Sequence, residues 1–239
     1  MTAPILETRG LTMRFGGVVA VNGVDFRLQE AELRCLIGPN GAGKSTFFKC
    51  LTGQLRPTSG DVLFRDRSIA GSDSHVIARH GVGIKTQVPS VFDGLSVRDN
   101  VWLAAARTNP GRLAEQKTDA AIEQVGIGPI VHRIVGQLAH GQRQLVELAM
   151  VVAPEPDLIL LDEPAAGMTD DEVDRLVDLI KNLNQRHALV VVEHDMQFIR
   201  RVAKTVTVFH QGSILVEGDV ADILVDARVR DVYLGKQAA

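Results

Sequence analysis

The segment "ELRCLIGPNGAGKSTFFKCL", residues 32–51, constrains the fold more than any other stretch of the chain. Glu32 to Ile37 reads as a short buried strand, Gly38 to Gly43 as a glycine-rich turn, and Lys44 onward as a helix. The pattern Gly38-x-x-x-x-Gly43-Lys44-Ser45 therefore stands in the strand–loop–helix context that a phosphate-binding loop needs. Glycines permit a tight turn whose backbone N–H groups converge on phosphate oxygens, and the helix that follows adds the positive end of its dipole. In that geometry Lys44 reaches the β- and γ-phosphates, and the Ser45 hydroxyl is placed to ligate Mg²⁺.

Two downstream stretches complete such a site. In "DLILLDEP", the apolar run Leu158 to Leu161 reads as a strand buried on both faces of a parallel sheet, ending in Asp162 and Glu163. The C-terminal ends of parallel strands are where ligands sit in α/β folds, so Asp162 is a candidate Mg²⁺ holder and Glu163 a candidate general base toward the attacking water. In "ALVVVEHDM", Ala188 to Val192 is another buried strand, and His194 follows on the same sheet edge, within reach of a γ-phosphate. His75, His80, His132, His187 and His210 carry no such context and read as ordinary surface or core residues.

The bulk properties exclude several classes. With 45% hydrophobic and 23% charged residues over 239 positions, the chain has the composition of a globular protein with a sizeable core. A net charge of −3 gives no overall pull toward nucleic acid or an anionic membrane. No apolar run approaches transmembrane length, and "MTAPILETRG" lacks the apolar core of a signal peptide. Cys35 and Cys50 lack partners at metal-ligand spacing and read as two buried thiols in a reducing compartment.

Taken together, these motifs resemble the nucleotide-binding subunit of ATP-binding cassette (ABC) proteins over essentially the whole length. On that resemblance, ATP is held by Gly38, Pro39, Asn40, Gly41, Ala42, Gly43, Lys44, Ser45 and Thr46, with Phe15 of "MRFGG" matching the aromatic that stacks on adenine. Gln87 of "IKTQVPSVF" matches the Q-loop glutamine that contacts Mg²⁺ or water and couples to the membrane partner, so Ser45, Gln87 and Asp162 form the implied metal set. Glu163, His194 and Gln87 form the implied catalytic set. "LAHGQ" stands at the family signature, usually "LSGGQ", where Ala139, His140, Gly141 and Gln142 would close over ATP held by a second subunit. Ala139 lacks the usual serine hydroxyl, and His140 replaces a glycine. "AAGMT", Ala165 to Thr169, occupies the D-loop region without its usual aspartate. The helix beginning "GQRQLVELAMVV" is supported independently, because Leu145, Leu148, Ala149 and Val152 share one face.

The resemblance implies an α/β P-loop NTPase fold of the ABC type: a mixed or parallel sheet core, an N-terminal antiparallel β lobe and a helical signature subdomain. The expected organisation is a single domain over residues 1–239. Residues 1–87 and 154–239 would form the nucleotide-binding core with the β lobe, and 88–153 the helical subdomain. The lobe takes segments such as "VDFRLQ" and "GDVLFRDRSI", the helices of 88–153 end near Pro110 and Gly126, and the tail reads as a strand followed by a helix. The implied activity is ATP hydrolysis with ATP and Mg²⁺, energising an importer of urea, amides or branched-chain amino acids. Details such as "PSVFDGLSV", "DEPAAGMT" and "DARVRDVYLG" resemble the urea-type subgroup most closely. The implied partners are a second ABC ATPase subunit, identical or different, two membrane permeases and, indirectly, a periplasmic solute-binding protein, but no nucleic acid. The implied location is the cytoplasmic face of the cell membrane. The alternative is a single-cassette ATPase of a soluble assembly system such as iron–sulfur cluster biogenesis. DNA-repair relatives need long coiled-coil insertions and translation-factor relatives two cassettes, and neither feature is present.

Overall fold

The computed structural model describes residues 3–234. The chain opens with β1 (Leu6–Phe15) and β2 (Val18–Leu28), then runs through β3 (Leu33–Ile37), α1 (Lys44–Leu51), β4 (Ser59–Phe64), β5 (Arg67–Ser68), α2 (Ser74–Arg79) and β6 (Val82–Lys85). Three helices follow: α3 (Val97–Ala106), α4 (Arg112–Val125) and α5 (His140–Val152). The remainder is β7 (Leu158–Asp162), α6 (Asp170–Asn184), β8 (Ala188–Val192), α7 (Met196–Val202), β9 (Thr205–His210), β10 (Ser213–Asp219), α8 (Val220–Val225) and α9 (Ala227–Leu234).

The strands form two sheets. An antiparallel sheet of order β2-β1-β4-β5 is the N-terminal lobe. The second sheet has the order β10-β9-β3-β8-β7-β6; it is parallel from β9 to β6, and β10 adds an antiparallel edge. This is the mixed sheet expected from the sequence. Every residue of β3, β7 and β8 is buried, because both faces of the sheet are covered. Side chains alternate between two cores. Ile159, Leu161, Leu189 and Val191 face the layer that contains α3 to α7, whereas Leu158, Leu160, Val190 and Val192 face α1 and the β lobe. In the second core Phe47 packs edge-on against Phe26, with ring centroids 5.7 Å apart, and lies 5.0 Å from Phe209.

The tail differs from the expected single helix. Asp226 is extended and accepts the Arg228 N–H at 2.8 Å, which caps a new helix and divides the segment into α8 and α9. Strand β3 begins at Leu33; Glu32 instead accepts the Gln29 N–H and pairs with buried Arg34. Helix α5 begins one residue early, at His140, and is more deeply embedded than the apolar stripe alone implied: Gln144, Val146 and Glu147 are buried, while Leu145 is only partly so. Cys35 and Cys50 are both buried and free. Among the described residues no helix is long and apolar enough to cross a membrane.

Candidate active site

Four neighbouring parallel strands, in the order β3-β8-β7-β6, end on one edge of the sheet, and each delivers a loop to it. β3 runs into residues 38–43, β8 into Glu193 and His194, β7 into Asp162 and Glu163, and β6 into Thr86 and Gln87. Sequence segments far apart in the chain are thereby set side by side.

The loop 38–43 requires its glycines. Gly38 and Gly43 have φ of +147° and +104°, and a Cβ on either would overlap a carbonyl oxygen, that of Phe209 or of Ala20. The Ala20 contact sets strand β2 against the loop; β1, its hydrogen-bonded neighbour, ends in the exposed Phe15. Lys44 is buried and donates to the carbonyls of Gly38 at 2.6 Å and Pro39 at 3.1 Å. Burial lowers the pKa of its ammonium, while Glu163 and Asp162 act in the opposite direction. A loop of left-handed glycines, with an ammonium bonded, among the described residues, to the loop's own carbonyls alone, fits a polyphosphate. Asn40, Gly41 and the Ser45 side chain at the start of α1 are exposed at its mouth.

Asp162 is 8% exposed, and its carboxyl is pushed up to about 6, first by burial and then by the neighbouring Glu163 charge. A buried carboxylate held this far above its ordinary range is one that a hard divalent cation would stabilise. The Ser45 hydroxyl and the Gln87 side-chain carbonyl are oxygen donors of the kind that Mg²⁺ would take beside such a carboxylate.

Glu163 lies in left-handed backbone, φ +45°, fixed by its N–H donating to Val192 O at 2.9 Å. Non-glycine residues hold that conformation at a cost, and it aims the carboxylate off the strand end. One oxygen, Oε2, accepts the Gln87 Nε2 amide at 2.8 Å, and the other lies 3.6 Å from His194 Nδ1. Gln87, Glu163 and His194 are thus brought together.

Glu193 escaped the sequence reading. It is 2% exposed, and its carboxylate accepts N–H groups from Ala165 at 3.3 Å, His194 at 2.9 Å and Asp195 at 3.4 Å. It ties the loop after β7 to the loop after β8, holding Glu163 and His194 in one frame. At the end of an apolar strand its only visible signal was a charge where burial was expected.

The segment "LAHGQ" forms the start of α5, with Ala139 at the N-cap. Ala139 supplies no hydroxyl, so only half of a capping arrangement exists, the Gln142 Oε1 accepting Ala139 N–H at 3.3 Å. Beyond Gln142, the segment's polar contacts are those of His140, with Gln144 Nε2 on the same helix at 3.1 Å and with the turn before α6. His140 Nε2 lies 3.1 Å from Ala166 O, and a Cβ on Gly141 would land on the Glu172 carboxylate. Glu172 itself accepts Thr169 N–H at 2.9 Å in the capping box that starts α6. Thr169, in the region where the D-loop aspartate is missing, is therefore a helix cap. His187 is a satisfied core residue, its Nδ1 2.6 Å from Pro156 O.

A cavity of about 390 Å³ opens between β6, the 86–90 loop, α3 and α5, lined among others by Gln54, Thr86, Ser90, Arg107 and Met150. Large apolar side chains are exposed nearby in sequence: Val88, Phe92 and Leu95 on the loop, and Trp102 and Leu103 on α3.

Comparison with known proteins places this geometry among relatives. The sequence model described as "ABC transporter" matches residues 21–166. The high-affinity branched-chain amino acid transport ATP-binding protein BraF of Pseudomonas aeruginosa is 37% identical over 99% of the chain and 100% of its own length. The ADP-bound structure of MJ1267, an ATP-binding cassette of an ABC transporter, superposes with a TM-score of 0.85 at 24% identity, covering 98% of this chain and all of that one. The dimeric post-hydrolysis structure of the cassette MJ0796, bound to ADP and Pi, gives a TM-score of 0.80 at 23% identity over 90% of this chain and 98% of its own.

Proposed function

Because the chain belongs to the ABC transporter family, we propose that it is the ATP-hydrolysing subunit of an importer and that the imported solute is a branched-chain amino acid. It is an ABC ATPase cassette. The observation that carries the chemistry is the cluster of Gln87 and His194 around the strained Glu163, on the sheet edge that also holds the phosphate loop.

In this reading Lys44 exchanges its bonds to the Gly38 and Pro39 carbonyls for phosphate oxygens, and free backbone N–H groups of the loop and of the start of α1 bind the remaining phosphate charge. Phe15 stacks on the adenine. Ser45, Asp162 and Gln87 would hold Mg²⁺, which supplies neutralisation of charge developing on the phosphates. Glu163 accepts a hydrogen bond from the attacking water and aligns it, and His194 faces the γ-phosphate. "LAHGQ" acts on a second subunit's nucleotide through the backbone N–H groups at the start of α5, since Ala139 offers no hydroxyl and the His140 ring is taken up by Ala166 O and Gln144. The dimeric relative supports such a pairing. Gln87 and the helices of 88–153, read as a subdomain, pass movement to a permease seated on the cavity beside the 86–90 loop, at the cytoplasmic face of the membrane.

The solute reading rests on the full-length similarity to BraF, a transport relative that does not favour a soluble assembly system. The sequence details resembling the urea-type subgroup favour urea or amides as the second reading. The experiment is uptake by vesicles containing the chain, its partner ATPase, permeases and binding protein. ATP-dependent accumulation of labelled leucine supports the first reading, accumulation of urea without leucine the second, and uptake of neither overturns both.

A further inference from the structure

Glu147 lies on α5, the helix that begins at "LAHGQ", and its side chain is 4% exposed. Its Oε2 pairs with Lys85 Nζ at 3.1 Å, and Lys85 is 1% exposed. Its Oε1 accepts the Ser90 N–H at 2.9 Å. Lys85 is the last residue of β6, and Ser90 stands at the far side of the loop that carries Gln87. One carboxylate, rooted on the signature helix, therefore holds both ends of the loop that delivers Gln87 to Glu163.

Stability does not explain the arrangement. Two charges are removed from water, and an apolar pair of similar volume would serve a core at least as well. The pair does supply a fixed connection between α5 and the 86–90 loop that apolar contacts, lacking direction, would not.

We propose that Glu147 is a positioning residue for hydrolysis: through Lys85 and the Ser90 N–H it sets where Gln87 meets Glu163, so that a displacement of α5 displaces Gln87. The proposal rests on the ATPase reading above. Its consequence is that Glu147 affects turnover only by way of Gln87.

The test is a thermodynamic cycle on the full chain, in which Lys85→Met/Glu147→Leu is made both with Gln87 intact and in the Gln87→Ala background. The expected result is a kcat lower by roughly tenfold with Gln87 intact, KM for ATP within about twofold, and no further loss in the Gln87→Ala background. A third variant, Lys85→Met/Glu147→Gln, keeps an acceptor for Ser90 N–H and is expected to recover part of kcat. Equal losses in both backgrounds, or an unchanged kcat in a folded Lys85→Met/Glu147→Leu chain, overturn the proposal. Hydrogen exchange across residues 86–90, compared between the wild type and whichever pair variant melts within a few degrees of it, gives a reading independent of turnover. Faster exchange confined to that loop supports the tie, and unchanged exchange overturns it. A wild-type chain without ATP hydrolysis would sink the functional reading itself, a distinct outcome.

Discussion

The side-chain amide of Gln87 donates to Oε2 of Glu163 at 2.8 Å, joining the loop after β6 to the residue after β7. An ionised carboxylate is acceptor-only, so this contact fixes the amide orientation, with nitrogen toward Glu163. It leaves one carboxylate oxygen, the one nearer His194, to face a water.

Replacing Gln87 tests that contact. Gln87→Ala removes a hydrogen bond to a charged group, worth about 1.5–3 kcal/mol, and is expected to lower kcat by about tenfold or more while nucleotide affinity stays within a few-fold. Gln87→Glu sets two carboxylates at hydrogen-bond distance, where they compete for one proton. The rising limb of its kcat–pH profile is expected to move to higher pH, and steady-state ATPase assays from pH 5.5 to 9 check this. An unmoved limb would mean that the two side chains do not meet during turnover.

Gly141 is constrained from inside its own chain, by Glu172. A methyl group there displaces the Glu172 carboxylate from Thr169 N–H and weakens the cap of α6, at a cost of about 1 kcal/mol. Gly141→Asp adds like-charge repulsion and is expected to melt lower than Gly141→Ala. Both deficits should shrink in a Glu172→Ala background, where the collision is gone. Thermal melts of the six chains decide it, and undiminished deficits would assign the glycine's role elsewhere.

Glu193 accepts three backbone N–H groups while nearly fully buried. Glu193→Ala orphans them and is expected to cost about 1–3 kcal/mol in urea unfolding. Because His194 and the 163–165 turn lose their common anchor, kcat should fall as well. Glu193→Gln, which keeps one acceptor oxygen, should lie between the two.

Asp162 gives a pH signature in the nucleotide-free protein. Its folded value of about 6 exceeds that of an unfolded aspartate, about 3.9, so between those values the folded state holds the extra proton. Stability then falls as pH rises through that window and levels off above it. Asp162→Asn removes the ionisation cost. The variant is expected to be more stable than wild type at pH 7.5 and to lose that advantage by pH 4.5, as read by urea unfolding without Mg²⁺. A difference that does not vary with pH would contradict the assignment.

What the sequence made legible follows from what is local. The phosphate loop, the strand before Asp162 and the strand before His194 are each written in consecutive residues, and their order dictates a parallel sheet. The contacts that join those pieces are not local. Lys85 sits at the end of a four-residue strand, and nothing around it signals a buried partner on α5. Glu193 reads as the polar end of an apolar run until the sheet sets it beneath Ala165. The Gly141–Glu172 approach depends on how α5 and α6 converge, which neither helix encodes alone. The break between α8 and α9 was local but subtle, an Asp226 cap inside a continuous helical pattern.

The central claim is that Glu163, aimed by its left-handed backbone, aligns the water that attacks ATP. Glu163→Gln keeps shape and phosphate loop but removes the charge that orients the water. Steady-state hydrolysis and equilibrium nucleotide binding measured on the same preparation, beside Lys44→Ala, test this directly. Glu163→Gln is expected to bind ATP within a few-fold of wild type but to turn over slower by about 10²-fold or more, whereas Lys44→Ala loses binding itself. Turnover by Glu163→Gln at or near the wild-type rate would contradict it.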